Sequence, residues 1–207
     1  MPARMLIVVC SILLGTTALH AADADPHAED RKALLKVFRE IEDAINDQNV
    51  DRMVAQMHPQ ATVTWLNGEI SRGHDEIKAY YHRMVKGDKR YLDKYLTAAK
   101  VGAPARFYGG GQVAVADGSM EDQFFPVARG PFQLSSRWTS TSGKFDDQWK
   151  VVSLHLSSNV FTNSLIDEAT QAVWYMGAGG AVAGLIAGLL IGWLVGRRNP
   201  PGRSGNA

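Results

Sequence analysis

Apolar residues recur along this chain in two rhythms. Leu34, Phe38, Ile41 and Ile45 fall on one helical stripe with charges between them, which predicts an amphipathic helix over Glu29 to Asp47. A helical turn, Asp51 to Met57, then leads through Pro59 to an alternating strand, Ala61 to Leu66. Asn67-Gly68 is a hairpin turn signal, so Glu69 to Arg72 is expected to pair back. Gly73 ends that strand, and Ile77, Tyr81, Met84 and Val85 restore helical spacing over His74 to Val85. From Tyr91 the rhythm becomes that of strands: Lys94 to Val101, Gln112 to Phe125, Phe132 to Thr141 and Gln148 to Val160. Their separators are Gly109-Gly110-Gly111, Gly130-Pro131 and Ser142-Gly143. Helices followed by long strands predict an α+β domain, with helices packed on one face of a curved antiparallel sheet.

The last strand has the clearest alternation. In an extended chain successive side chains point to opposite faces, so Val152, Leu154 and Leu156 share one side while Ser153, His155, Ser157 and Asn159 share the other. One side belongs to a core, the other to solvent or a pocket.

Both termini break these rhythms. Arg4 precedes an uncharged run from Met5 to Gly15, followed by small residues around Ala18 to Ala22, the pattern of an export signal over residues 1–22. An uncleaved anchor is the alternative, but about 11 apolar residues fall short of the roughly 20 a spanning helix needs. Val173 to Gly196 is uncharged, long enough to cross a hydrocarbon core, and carries Trp174, Tyr175 and Trp193 near its ends. A transmembrane helix is therefore expected over 173–196, after a juxtamembrane stalk at 162–172. Arg197, Arg198 and Arg203 mark 197–207 as a cytoplasmic tail and place the large domain on the periplasmic or extracellular side of the plasma membrane. Gly180, Gly184, Gly188, Gly192 and Gly196 form one stripe, the pattern of a helix-packing face and of a homo-oligomer. A glycine-rich anchor without a partner fits the same residues.

Charge and cysteine usage narrow the function classes. Removing Arg4, Arg197, Arg198 and Arg203 from the 22 basic residues leaves 18 against 21 acids. The expected exported part is thus about −3, without the basic surplus of a nucleic-acid binder. Cys10, the only cysteine, lies in the export run, which leaves the mature chain no disulfide and no thiolate chemistry. His27, His58, His74, His82 and His155 form no HxH or HExxH spacing, so no metal is expected. Nor is a cofactor, since nucleotide fingerprints and a nucleophile elbow are both missing.

The order helix, short helix, hairpin, helix, four strands resembles the nuclear transport factor 2-like superfamily, which includes ketosteroid isomerases, SnoaL-type polyketide cyclases and the association domain of the calmodulin-dependent kinase. Three patterns carry the likeness, which covers Glu29 to Phe161: Asn46-Asp47-Gln48-Asn49-Val50-Asp51, Arg72-Gly73-His74-Asp75-Glu76-Ile77, and Arg137-Trp138-Thr139 with Trp149-Lys150-Val151 and His155-Leu156-Ser157. The resemblance implies a sheet curled round a conical cavity. It also implies, by similarity to the kinase association domain, that Arg137 and His155 face the pocket, with Ser157, Ser153 and Asn159 beside them. The inverted arrangement, with the apolar set lining the cavity, stays open because ligand pockets are mostly apolar.

His155 is a candidate general base or anion donor, or a half-buried histidine bonded to a carbonyl. Arg137 is placed to clamp a carboxylate or to pair with Glu121 or Asp117. Trp65, Tyr80, Tyr81 and Trp138 suit either a cavity wall or core. A ketosteroid isomerase needs a carboxylate base and acidic oxyanion donors; Asp117, Glu121 and Tyr81 do not align onto that motif, and Asp117-Gly118 also reads as a bulge. The expectation is an anchored module that binds a small hydrophobic molecule or a carboxylate, or that oligomerises. An isomerase, cyclase or dehydratase acting on a hydrophobic ligand is the alternative.

Overall fold

The computed structural model describes residues 25–198. The expected export segment, Cys10 with it, and residues 199–207 of the expected tail lie outside the described residues. Helix α1 (Ala28–Asn46) turns its apolar stripe inward: Ala44 is fully buried, and Val37, Ile41 and Ile45 pack on the core. Helix α2 (Val50–Val54) starts where the Asn49 side chain accepts the Arg52 N–H at 3.0 Å, an N-cap bond that satisfies one free helix donor.

Strand β1 (Met57–Thr64) begins four residues earlier than expected and contains Pro59. Its pairing with the last strand shifts register between Met57 and Thr62, so the proline sits where the ladder is already interrupted and no N–H is missed. Strand β2 (Ile70–Arg72) returns through the Asn67-Gly68 turn. Helix α3 (Gly73–Tyr81) does not run on to Val85 as one α-helix; its last turn, His82–Lys86, widens to a π-helical turn.

Strands β3 (Leu92–Val101), β4 (Arg106–Tyr108), β5 (Val113–Pro126), β6 (Phe132–Phe145) and β7 (Gln148–Ser158) complete a seven-stranded sheet in the order β2-β1-β7-β6-β5-β3, with β4 also on β5. Pairing is antiparallel except between β1 and β7, which run parallel. Strand β6 passes through Ser142-Gly143, where a break was expected. Gly143 is buried, and a β-carbon there would stand 2.7 Å from the Phe145 ring, so the glycine admits a close ring contact inside a strand. The reversal falls instead at Asp146-Asp147, with φ of 47° and 58°.

Helix α4 (Ser164–Arg198) joins the expected stalk and span into one rod of 35 residues, about 52 Å long. It is long and apolar enough to cross a membrane. Asn163 caps it by accepting the N–H groups of Leu165 and Ile166, and Glu168 pairs with Arg129 on the β5–β6 turn.

Candidate functional site

The concave face of the sheet and helices α1 and α3 enclose a cavity of about 530 Å³. Alternation on each strand decides what lines it. Strand β5 contributes Ala114, Ala116, Met120 and Phe124; β6 contributes Trp138, Ser140 and Ser142; α1 contributes Leu34, Phe38 and Ile41. At one end the rings of Trp65 and Tyr80 stack at 4.2 Å, with the Arg83 guanidinium 5.2 Å from the tyrosine ring. The Trp65 indole N–H donates to Ser71 Oγ at 2.9 Å, which holds the stack in place. At the middle, Phe38 meets Trp138 at 5.3 Å. The opposite end opens to solvent, where Leu35, Val101 and residues 102–104 are exposed.

Close approach of strands shapes the wall at Gly118. A β-carbon there would lie 1.9 Å from the Lys100 carbonyl oxygen and 2.8 Å from the Trp138 ring. Only a missing side chain lets β3, β5 and the Trp138 indole meet so closely. The indole N–H of Trp138 is buried in that wall without a partner among the described residues.

Beneath the wall lies a carboxylate the sequence reading missed. Asp122 is fully buried and accepts hydrogen bonds from the hydroxyls of Tyr95 (2.6 Å), Thr97 (2.8 Å) and Ser136. Burial pushes the Tyr95 hydroxyl well above its ordinary pKa, and the charge of Asp122 adds to the effect. The signal for Asp122 was present: it shares a strand face with Met120 and Phe124, so the alternation carries a carboxyl group to the apolar side. Nearby, Asn46 bonds both the carbonyl and the N–H of Thr97, and Glu42 accepts the Ala99 N–H at 2.8 Å. These two α1 side chains satisfy backbone groups of β3, the strand at the end of the sheet order.

Phenols complete the polar lining. Burial pushes Tyr81 to about 12, and burial followed by the charge of Glu69 pushes Tyr80 to about 12. Both remain neutral donors at physiological pH. Among the described residues, no group of three or more His, Cys, Asp or Glu is placed to hold a metal ion.

Of the residues singled out by sequence, Trp65, Tyr80, Tyr81 and Trp138 line this cavity. The polar set of β7 does not. A register shift in the β6–β7 ladder sets Ser142 opposite Val151 and Thr141 opposite Ser153, leaving Val152 as the extra residue of a bulge. Val151, Leu154 and Leu156 therefore face the cavity, which is the inverted arrangement, while Ser153, His155, Ser157 and Asn159 are exposed. Arg137, Ser157 and Asn159 border a depression on the outer face. Asn159 organises the β7–α4 junction, accepting the N–H groups of Phe161 and Thr162. Asp117 pairs with Arg106 at 3.0 Å, and Glu121 accepts a hydrogen bond from the Ser135 hydroxyl, so neither is the partner expected for Arg137. No described residue packs within 4 Å of where a β-carbon would stand on Gly180, Gly184, Gly188, Gly192 or Gly196.

No protein-family model and no curated protein matches the chain. Solved structures do. A hexachlorocyclohexane dehydrochlorinase, LinA-type3 from Novosphingobium barchaimii, is similar with a TM-score of 0.56 at 14% identity, over 65% of this chain and 90% of that one. A nuclear transport factor 2-like superfamily protein from Salmonella enterica gives 0.53 at 17% identity, over 64% and 92%. A domain of unknown function with a cystatin-like fold from Nostoc punctiforme gives 0.54 at 18%, over 78% and 97%. The chain thus has the nuclear transport factor 2-like fold, followed by a long apolar helix.

Proposed function

We propose that this chain is an exported, membrane-anchored binding module that takes a small apolar molecule into the cone. Helix α4 is its anchor, the arginine tail lies on the cytoplasmic side, and the glycine stripe is the face through which copies associate. One observation carries the binding reading: the cavity wall is almost wholly apolar, and the carboxylates in and behind it are already committed. Asp122 is held by three hydroxyls and Glu42 by a backbone N–H, and no histidine is among the lining residues. General acid–base catalysis needs a group free to exchange a proton with the ligand.

A second reading, an elimination or isomerisation enzyme, is favoured by the Tyr95 hydroxyl, which lies in the cavity wall 2.6 Å from Asp122. A structural neighbour named as a dehydrochlorinase agrees with it at the level of fold.

The test is ligand-dependent thermal stabilisation of the full chain in lipid nanodiscs against aromatic acids, sterols and polyketide-like compounds. A ligand at 100 times its dissociation constant stabilises by about 2.7 kcal/mol. Stabilisation without product formation supports the module; turnover that disappears in Tyr95→Phe supports the enzyme.

A further inference from the structure

We infer that the ligand is a monocarboxylate with an apolar body, and that its carboxylate is seated at the rim of the cavity on the guanidinium of Arg31. This rests on the apolar-cavity reading above and adds the head group to it. Arg31 is the one cation among the residues that line the cavity, and it stands at the open end with Leu35, Val101 and the 102–105 loop. Its position is fixed from two sides. One terminal nitrogen, Nη1, donates to the Ala105 carbonyl, and the guanidinium carbon lies 5.0 Å from the centre of the Phe107 ring, which itself stacks on His27 at 4.1 Å. An arginine held this way presents a planar donor edge, the geometry that matches a carboxylate better than any other side chain does.

That edge already carries a carboxylate. Asp25, in the turn that leads into α1, accepts from Arg31 Nε at 2.7 Å and from the His27 N–H at 3.0 Å, and is partly exposed. It is a stand-in supplied by the chain itself, and it occupies Nε alone. Nη2 of Arg31 carries no hydrogen bond among the described residues, so a second carboxylate oxygen has a donor waiting beside the apolar opening. Glu42, the carboxylate among the lining residues, is turned to the Ala99 N–H of β3. A carboxylate left at the rim stays hydrated on one side and paired on the other, while the body it carries is buried among Leu34, Phe38 and Trp138. Arg137, which the sequence offered either as a carboxylate clamp or as a partner of Glu121 or Asp117, borders the outer depression instead.

The experiment compares naphthoic acid with naphthylmethanol, which share an apolar body and differ in charge. Binding to the full chain in nanodiscs is measured by calorimetry, with empty nanodiscs as the blank. The acid should bind about tenfold more tightly than the alcohol. Arg31→Gln should bring the acid down to the alcohol's affinity, and Arg31→Lys should keep part of the difference. Asp25→Asn removes the competing carboxylate and should tighten the acid several-fold while leaving the alcohol unchanged; its exposed position keeps the test valid even where Arg31 variants fold poorly. Equal affinity of acid and alcohol for the wild type, or a preference that survives Arg31→Gln, overturns the carboxylate seat and leaves the apolar-cavity reading standing. Binding of neither compound overturns both.

Discussion

Strand β7 presents two faces with opposite fates. Leu154 and Leu156 look into an apolar cavity, whereas His155 and Ser157, their immediate neighbours, look out from the convex side of the sheet. Chemistry alone favours the second pair as a site, because imidazole and hydroxyl groups do more than alkyl chains. Position favours the first. A binding pocket draws most of its free energy from apolar surface removed from water, at about 25 cal/mol per Å², and polar groups add direction and selectivity. The concave face has the larger, mostly apolar cavity; the convex face has polar groups around a more open depression. A side chain's capacity for chemistry is therefore a poor guide to whether the fold encloses it.

The comparison breaks most visibly at the inner wall. Asp122→Ala leaves three buried hydroxyls without their acceptor and should cost about 3–5 kcal/mol, read from chemical denaturation of the full chain in nanodiscs. Gly118→Ala drives a methyl group into the Lys100 carbonyl and the Trp138 ring and should cost about 3 kcal/mol by the same measurement. On the convex face, Arg137→Ala and His155→Ala should each stay within about 0.5 kcal/mol of wild type. A loss of 2 kcal/mol there, on the order of a buried hydrogen-bond defect, would mean that the outer face carries structure after all.

A smaller effect follows from the phenols. Tyr80 and Tyr81 titrate at about 12 in the fold against 10.0 ordinarily, so between those values the native state holds protons that the unfolded chain has released. Stability should consequently fall as pH rises from 10 towards 12, while Tyr80→Phe with Tyr81→Phe should flatten that fall in melting temperature. An unchanged slope in the double variant would place the two hydroxyls in water.

Much of the fold was legible because it follows from period. The stripe of Leu34, Phe38, Ile41 and Ile45 is a helix whichever domain it belongs to, and the strand alternation survives from Val113 to Ser158 with little loss. Strand β4 was missed because three residues between Pro104 and a glycine run carry no period; it forms by pairing with β5. The site was less legible. Alternation separates two faces but does not say which is enclosed, and a bulge at Val152 changes the register partway along the strand that mattered most. Asp122 and Arg31 owe their roles to elements distant in sequence, hydroxyls on β3 and β6 for one and the 102–105 loop for the other.

The most direct measurement fills the cavity and compares that with stripping the outer face. Ala116→Phe places a ring among the lining residues, and Arg137→Ala with His155→Ala removes the convex polar groups; both proteins are melted in nanodiscs with and without a compound that stabilises the wild type. The filled protein should lose the ligand-induced shift in melting temperature, and the stripped protein should keep it whole. A shift that persists in Ala116→Phe and vanishes when Arg137 and His155 are removed would contradict the account and move the binding site to the convex face.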